Sequence, residues 1–222
     1  MINFPYISTK TENIEYLGVT SWLGSFEAPF IPEEVARKVS KNPNSEYFDI
    51  PISDIIKMWN DTATRGNRKH KEIEDWLKGV GEKNEHCSII ENSLGISPDN
   101  SFAEIKLYCD EFRLTGKPDI IQEIKEKDYT IYNIHDIKTF KKNNKDKLIQ
   151  ASKQILIYCK MLRELIRNDD IIIRPGKIIV ISPKNNISEN VWFEFSEPEI
   201  FDIEKGIMED LIKMFNDRLQ QF

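Results

Sequence analysis

The sequence predicts an α/β fold, a small mixed β-sheet flanked by helices behind a helical N-terminal part, and three observations predict it. FAEIKLYC, FRLTGKPDIIQEI and YTIYNIHDIKTF are rich in β-branched and aromatic residues and are separated by turn residues around Asp110 and Asp128, the pattern of an antiparallel meander. Leu148, Ile155, Leu156, Cys159 and Leu162 then recur at helical spacing within residues 146–167, giving one long amphipathic helix. KIIVISP follows as an apolar run, so the helix serves as the crossover to a further buried strand. Three strands, a helix and a strand pack as helices on a sheet.

The other elements follow in chain order. YLGVTSWL is a short apolar opening, Pro32 before EEVARKV marks a helix start, and ISDIIKMWNDTA and GNRKHKEIEDWLK carry helical periodicity. Residues 79–100, polar with Gly and Asn, read as a connecting stretch. Residues 191–195 read as a short strand and 203–219 as a last helix with an acidic outer face. The 222 residues suit one domain in three parts: a helical part over 1–100, an αβ core over 101–185 and an acidic strand and helix over 186–222.

Composition excludes several classes. The chain is 40% hydrophobic and 31% charged, and no apolar run approaches the roughly 20 residues of a membrane span. The opening MINFPYISTK lacks the cationic-then-apolar pattern of an export signal, and the widely spaced Cys87, Cys109 and Cys159 form neither a disulfide framework nor a CxxC site. A reduced, cytoplasmic setting is expected. The net charge of -6 is segregated: residues 188–222 hold nine acids against three bases, whereas residues 138–160 hold seven lysines and one acid, Asp146. That basic stretch is either a phosphate-facing surface or a solvated helix face.

Folding the second and third strands about Lys127 and Asp128 gives cross-strand partners whose numbers sum to 255. Asp119 then opposes Asp136, Lys117 opposes Lys138, and alternation puts all four on one face. Opposed residues have Cβ atoms roughly 4.5–5.5 Å apart, where like charges repel unless a cation intervenes. Carboxylate oxygens suit magnesium or manganese, and a nearby lysine can position a water. The same acid-x-lysine spacing occurs at Glu104/Lys106 and Glu123/Lys125, but Glu123 faces Tyr132 and has no opposed acid. His135 points to the other face. His70 shares a helix face with Gly66, Ile73 and Glu74, which also suits a histidine satisfied at a core edge. Gln150, Gln154 and Tyr158 form a polar stripe beside the apolar face of the long helix. Trp22, Trp59 and Phe140 are either ordinary core aromatics or stacking platforms for unpaired bases.

Together these segments resemble the PD-(D/E)XK nuclease superfamily, in its RecB-like branch of phage-type and mitochondrial genome maintenance exonucleases. RGNRKHKEIE resembles that branch's glycine, histidine and glutamate helix at Gly66, His70 and Glu74. TGKPDII resembles its strand ending in a metal-binding aspartate, Asp119; HDIK its acid–lysine pair, Asp136 and Lys138; and QILIY its glutamine and tyrosine, Gln154 and Tyr158. The pieces span roughly residues 16–183 in the expected order.

The resemblance implies a restriction-endonuclease-like core and metal-dependent phosphodiester hydrolysis with a Mg²⁺ or Mn²⁺ cofactor. Asp119, Asp136, His70 and the Ile137 carbonyl would hold the metal, Glu104 and Glu74 being possible additions, and Lys138 would activate water. Gln154, Tyr158, Lys117, Lys141 and Lys142 would contact DNA. The implied partner is DNA with a free or single-stranded end, with a helicase or recombination protein as a second partner, in DNA repair or recombination and with no membrane. No cysteine follows Cys159, so no iron–sulfur cluster is expected. The Ile-, Lys- and Asn-rich composition suits an AT-rich genome, a phage or a low-GC bacterium. The alternative is a non-catalytic nucleic-acid-binding or protein-interaction subunit on the same fold, its acidic C-terminal part docking a partner. A nucleotide-binding domain would need a glycine-rich phosphate loop that is missing here, and a zinc hydrolase would need His and Cys spacing that is missing too.

Overall fold

The computed structural model describes residues 4–6, 9–26, 29–139, 145–181, 191–193, 205–207 and 209–210. Its elements in order are β1 (Leu17–Gly18), α1 (Val19–Gly24), α2 (Pro32–Ser40), α3 (Ile52–Leu77), α4 (Glu85–Leu94), β2 (Ser101–Ala103), β3 (Leu107–Cys109), β4 (Leu114–Gly116), β5 (Ile120–Lys125), β6 (Thr130–Lys138), α5 (Lys145–Leu165), β7 (Ile171–Val180) and β8 (Val191–Phe193). This is an α/β fold with two small mixed sheets flanked by helices. The larger sheet has the order β2-β5-β6-β7-β8 and the smaller β1-β4-β3.

The large sheet is covered on both faces, as its alternation requires. Phe102, Ile121, Tyr132, Ile134 and Ile178 pack with the buried face of α5, while Ala103, Ile120, Ile137, Ile179 and Ile181 pack with Ile73, Trp76 and Leu77 of α3 and Cys87 and Ile90 of α4. β6 and β7 run parallel, joined by α5 as the crossover. The β5–β6 hairpin has the expected register: Ile120 pairs with His135, Gln122 with Asn133 and Glu123 with Tyr132. His135 is a core residue. Its Nδ1 accepts the Lys177 N–H at 3.0 Å, so Nε2 carries the proton and faces Gln122 Oε1 at 3.2 Å. Burial pushes the imidazole down to about 3 and keeps it neutral.

Three expectations need correction. The first two strands of the meander are each broken, FAEIKLYC into β2 and β3 and FRLTGKPDIIQEI into β4 and β5. The breaks lie opposite each other, because one register pairs Ala103 with Ile120 and Leu107 with Gly116. At one break Glu104 takes a left-handed φ of 56°; at the other, Pro118 has no N–H for a ladder. The hairpin therefore bends from one sheet into the other. Residues 79–100 are not simply a connection, since α4 lies inside them; the Asn84 side chain accepts the Cys87 N–H at 2.9 Å as its N-cap, and Gly95 closes it at φ 64°. β7 begins at Ile171, ahead of KIIVISP, because Pro175 and Gly176 are absorbed where the β6–β7 register shifts between Ile134 and Asp136. Of the C-terminal helix expected over 203–219, residues 205–207 and 209–210 are described and are helical.

A Cβ on Gly176 would stand 2.7 Å from the Ile134 carbonyl oxygen and 2.7 Å from the His135 ring, neither of which can move without moving the strand that carries Asp136. Gly176→Ala is expected to cost about 1–3 kcal/mol of stability. Urea unfolding checks this, and an unchanged midpoint would mean the irregularity is slack.

Candidate active site

The bend in the hairpin makes the site. Just beyond the Ile120–His135 pair, Asp119 and Asp136 come side by side at the end of two adjacent strands, on the face that α5 covers. The Asp119 carboxylate accepts the Ile137 N–H at 2.6 Å. Asp136 is 1% exposed, with Lys138 Nζ 2.6 Å from its Oδ2; Oδ1 has no hydrogen-bond partner among the described residues. Lys138 Nζ also donates to Gln154 Oε1 at 3.2 Å, tying the strand end to α5.

His70 comes from α3, in the opposite helical layer. Gly66, one turn earlier, lets α3 lie close to the end of β6, where an added Cβ would be 3.3 Å from Thr139. His70 Nδ1 stands 3.8 Å from Asp119 Oδ2, too far for a hydrogen bond. Glu104 joins through the bend: its N–H donates to the Asp119 carbonyl at 3.3 Å, and its side chain interacts with the Asp119 carboxyl and, at 3.6 Å, with Lys117.

Electrostatics follow from this crowding. Burial, with Glu104 adding to it, raises Asp119 to about 6 against the opposing pull of Lys138 and the Ile137 N–H. Burial, reinforced by Asp119, raises Asp136 to about 7 despite Lys138. Burial likewise lowers His70, leaving a neutral ring with a lone pair at neutral pH. A buried carboxylate with an orphan oxygen and a half-buried one beside it, with a neutral imidazole nearby, have Lys138 as the cation against them.

These donors are compatible with a hard divalent ion. At bond lengths of about 2.1 Å, two ligands of one ion stand about 3–4 Å apart, and the His70–Asp119 separation falls in that interval. Among the described residues no three His, Cys, Asp or Glu side chains converge on one point, and Lys138 holds the flank of Asp136.

The remaining sequence-derived candidates are distributed as follows. Ile137 presents its N–H to Asp119. Glu74 is engaged along α3, 2.5 Å from Lys78 and 3.3 Å from Lys71; burial would raise its pKa, but the two lysines prevail and hold it below the usual carboxylate range. Tyr158, expected to contact DNA, is 3% exposed. Its ring lies where a Cβ on Gly116 would be, 2.6 Å away, and it hydrogen-bonds Gln154 and the Lys117 backbone, so it braces the bend from beneath. Gln154 is half-buried beside Lys138, and Lys117 is exposed. Trp22, 1% exposed, is a core residue and no stacking platform. Phe140, Lys141 and Lys142 lie outside the described residues. Cys87, Cys109 and Cys159 are buried, and none of them is in a disulfide.

Sequence reasoning missed Phe30 and Tyr47, which meet Trp59 at the mouth of the site. They lie in loops without periodicity; Phe30 stands two residues before the helix-starting Pro32, and the sequence holds no signal for Tyr47. Among the described residues no helix is long and apolar enough to cross a membrane.

No family model matches the chain, and no curated protein matches it. Among solved structures, the crystal structure of SSO0001 matches at 16% identity over 93% of this chain and 78% of that chain, with a TM-score of 0.38, an agreement too loose to inform the site.

Proposed function

We propose that the chain is a divalent-metal-dependent deoxyribonuclease of the PD-(D/E)XK type that trims DNA from an end. The observation that carries this reading is the pair of carboxylates at adjacent strand ends, half-buried Asp119 and buried Asp136, with Lys138 against the second and His70 facing the first. Asp119, Asp136 and neutral His70 are the side chains that would hold Mg²⁺ or Mn²⁺, with Glu104 behind Asp119. A bound ion supplies Lewis-acid stabilisation of the charge that develops on the phosphoryl group. Lys138 orients the attacking water. Gln154 fixes the direction of its ammonium group, and the Ile137 N–H fixes Asp119. An ion held by Asp136 would compete with Lys138 for its carboxylate, and an ammonium group released from that contact would be available to the water and the scissile phosphate.

End-labelled single- and double-stranded DNA, incubated with Mg²⁺, Mn²⁺ or chelator, tests the reading. Cleavage is expected to need the metal and to shorten products progressively from an end. Lys138→Ala is expected to slow it by about 10²-fold or more, in the range of lost acid–base or electrostatic groups. Chelator-resistant cleavage, or full activity without Lys138, would sink it.

A second reading, a non-catalytic nucleic-acid-binding or protein-interaction subunit, is favoured by one observation: Lys138 Nζ lies 2.6 Å from Asp136 Oδ2, an ion pair that serves a structural role equally well. It predicts DNA binding without cleavage under every metal condition.

A further inference from the structure

Resting on the nuclease reading, and deepening it to the kind of strand the site takes, we propose that the groove formed by Phe30, Tyr47 and Trp59 stacks unpaired nucleobases of the strand whose phosphate lies at Asp119 and Asp136. The groove has a volume of about 520 Å³ and ends at His70 and Thr139. Trp59 has Phe30 and Tyr47 ring centroids each 5.8 Å away, at interplanar angles of 51° and 86°. Phe30 remains 65% exposed, so its ring face is not consumed by the fold.

The floor is one stripe of α3. Trp59, Thr62, Ala63, Gly66 and His70 recur at spacings of three and four, so small residues line the path from the indole to the imidazole. The eleven steps from Trp59 to His70, at 1.5 Å each, give about 17 Å, several nucleotides of a strand whose stacked rise is about 3.4 Å. The path continues past the carboxylates: Thr139 and Lys147 also line a second groove, of about 440 Å³, with Lys138, Gln150 and Gln154. A strand can therefore lie with its bases on the aromatic rings and its backbone along the amides and ammonium groups.

Charge selects the occupant. Neither groove has an acidic residue among its described lining, in a chain with 37 acids, and Lys147 sits where they join. Arg65 and Arg68 flank the stripe on the same helix, Arg65 donating to Thr62 Oγ1 at 2.9 Å. By contrast, the cavity beside Cys109 is lined by three acids, Asp110, Glu111 and Glu164, against one base, Arg167, a balance that repels a polyanion. Aromatic faces next to Lys147, in a groove with no acid among its described lining, are the chemistry of single-strand binding, and paired bases are not available to such rings.

The test measures equilibrium binding of the full chain in chelator, where nothing is cut, by fluorescence anisotropy. The probes are a labelled single-stranded oligonucleotide, an abasic strand of equal length and the blunt duplex. Trp59→Ala is expected to weaken single-strand binding about 10- to 100-fold, as loss of a stacking platform does, and to change duplex binding less than about twofold. Trp59→Phe should recover most of the loss, and the abasic strand should bind wild type as weakly as the normal strand binds Trp59→Ala. Phe30→Ala, at an exposed position, reads the same selective loss should Trp59→Ala fail to fold. Equal losses on single strand and duplex, or an abasic strand held as tightly as the normal one, would overturn the proposal. Because binding is read without turnover, a protein that shows this pattern but never cleaves keeps the groove and loses the nuclease reading. One that cleaves with binding indifferent to Trp59 and Phe30 does the reverse.

Discussion

Asp136→Asn is expected to abolish metal-dependent cleavage, by at least about 10²–10³-fold, and at the same time to make the metal-free protein more stable. The two effects have one cause. Asp136 is buried, has an orphan oxygen, and is pushed up to about 7 from the usual 3.8. A shift of that size places an upper bound of about 4 kcal/mol on the cost of keeping the carboxylate ionised above pH 7. Asparagine has the same shape and no charge. Its loss of attraction to Lys138 is partly offset because that side chain is 27% exposed and can turn to solvent. A net gain of about 1–3 kcal/mol, or roughly 2–10 °C in Tm at pH 8, is expected. Differential scanning fluorimetry in chelator reads the gain, and a labelled-DNA assay reads the loss. A variant that is both inactive and less stable would mean that Asp136 holds the strand end together rather than waiting for a cation.

The second large effect is an inversion of pH dependence by metal. Asp119 and Asp136 have folded pKa values of about 6 and about 7, both above the unfolded value of 3.8. Between pH 4 and 7 the folded state therefore holds more protons than the unfolded state, and the pair's contribution to stability falls as pH rises through that window. A divalent ion competes with those protons. Its stabilisation should be small at pH 5, grow up to about pH 7 and then level off, reaching about 2.7 kcal/mol when the ion is at a hundred times its Kd. Melting curves with and without Mn²⁺ at pH 5, 6, 7 and 8 check this. A metal-induced shift of equal size at pH 5 and pH 8 would place the ion elsewhere, and its persistence in Asp136→Asn would do so independently.

The β5–β6 register was legible because two local signals agree: turn residues at Lys127 and Asp128, and alternating apolar positions that a one-residue slip would turn inside out. That register alone juxtaposes Asp119 with Asp136 and sends His135 into the core. The bend at Glu104 and Pro118 was not legible, because a left-handed glutamate is a tertiary outcome and Pro118 alone does not say which way a strand turns. α4 was hidden by polar composition, although Asn84 and Gly95 marked its ends. Tyr158 was placed on the correct helix but its burial was not legible, since a polar stripe beside an apolar face can point inward where Gly116 leaves room. The aromatic groove joins residues from two loops and a helix, and no periodicity connects them.

The proposed chemistry depends on Asp119 and Asp136 being a seat for a divalent cation. A crystal grown with Mn²⁺ and measured for anomalous scattering locates that cation without recourse to activity. The expected map has a peak about 2.0–2.2 Å from one carboxylate oxygen of each aspartate, with the Lys138 ammonium displaced from Asp136. A flat anomalous map, with Lys138 still seated on Asp136, would refute the assignment.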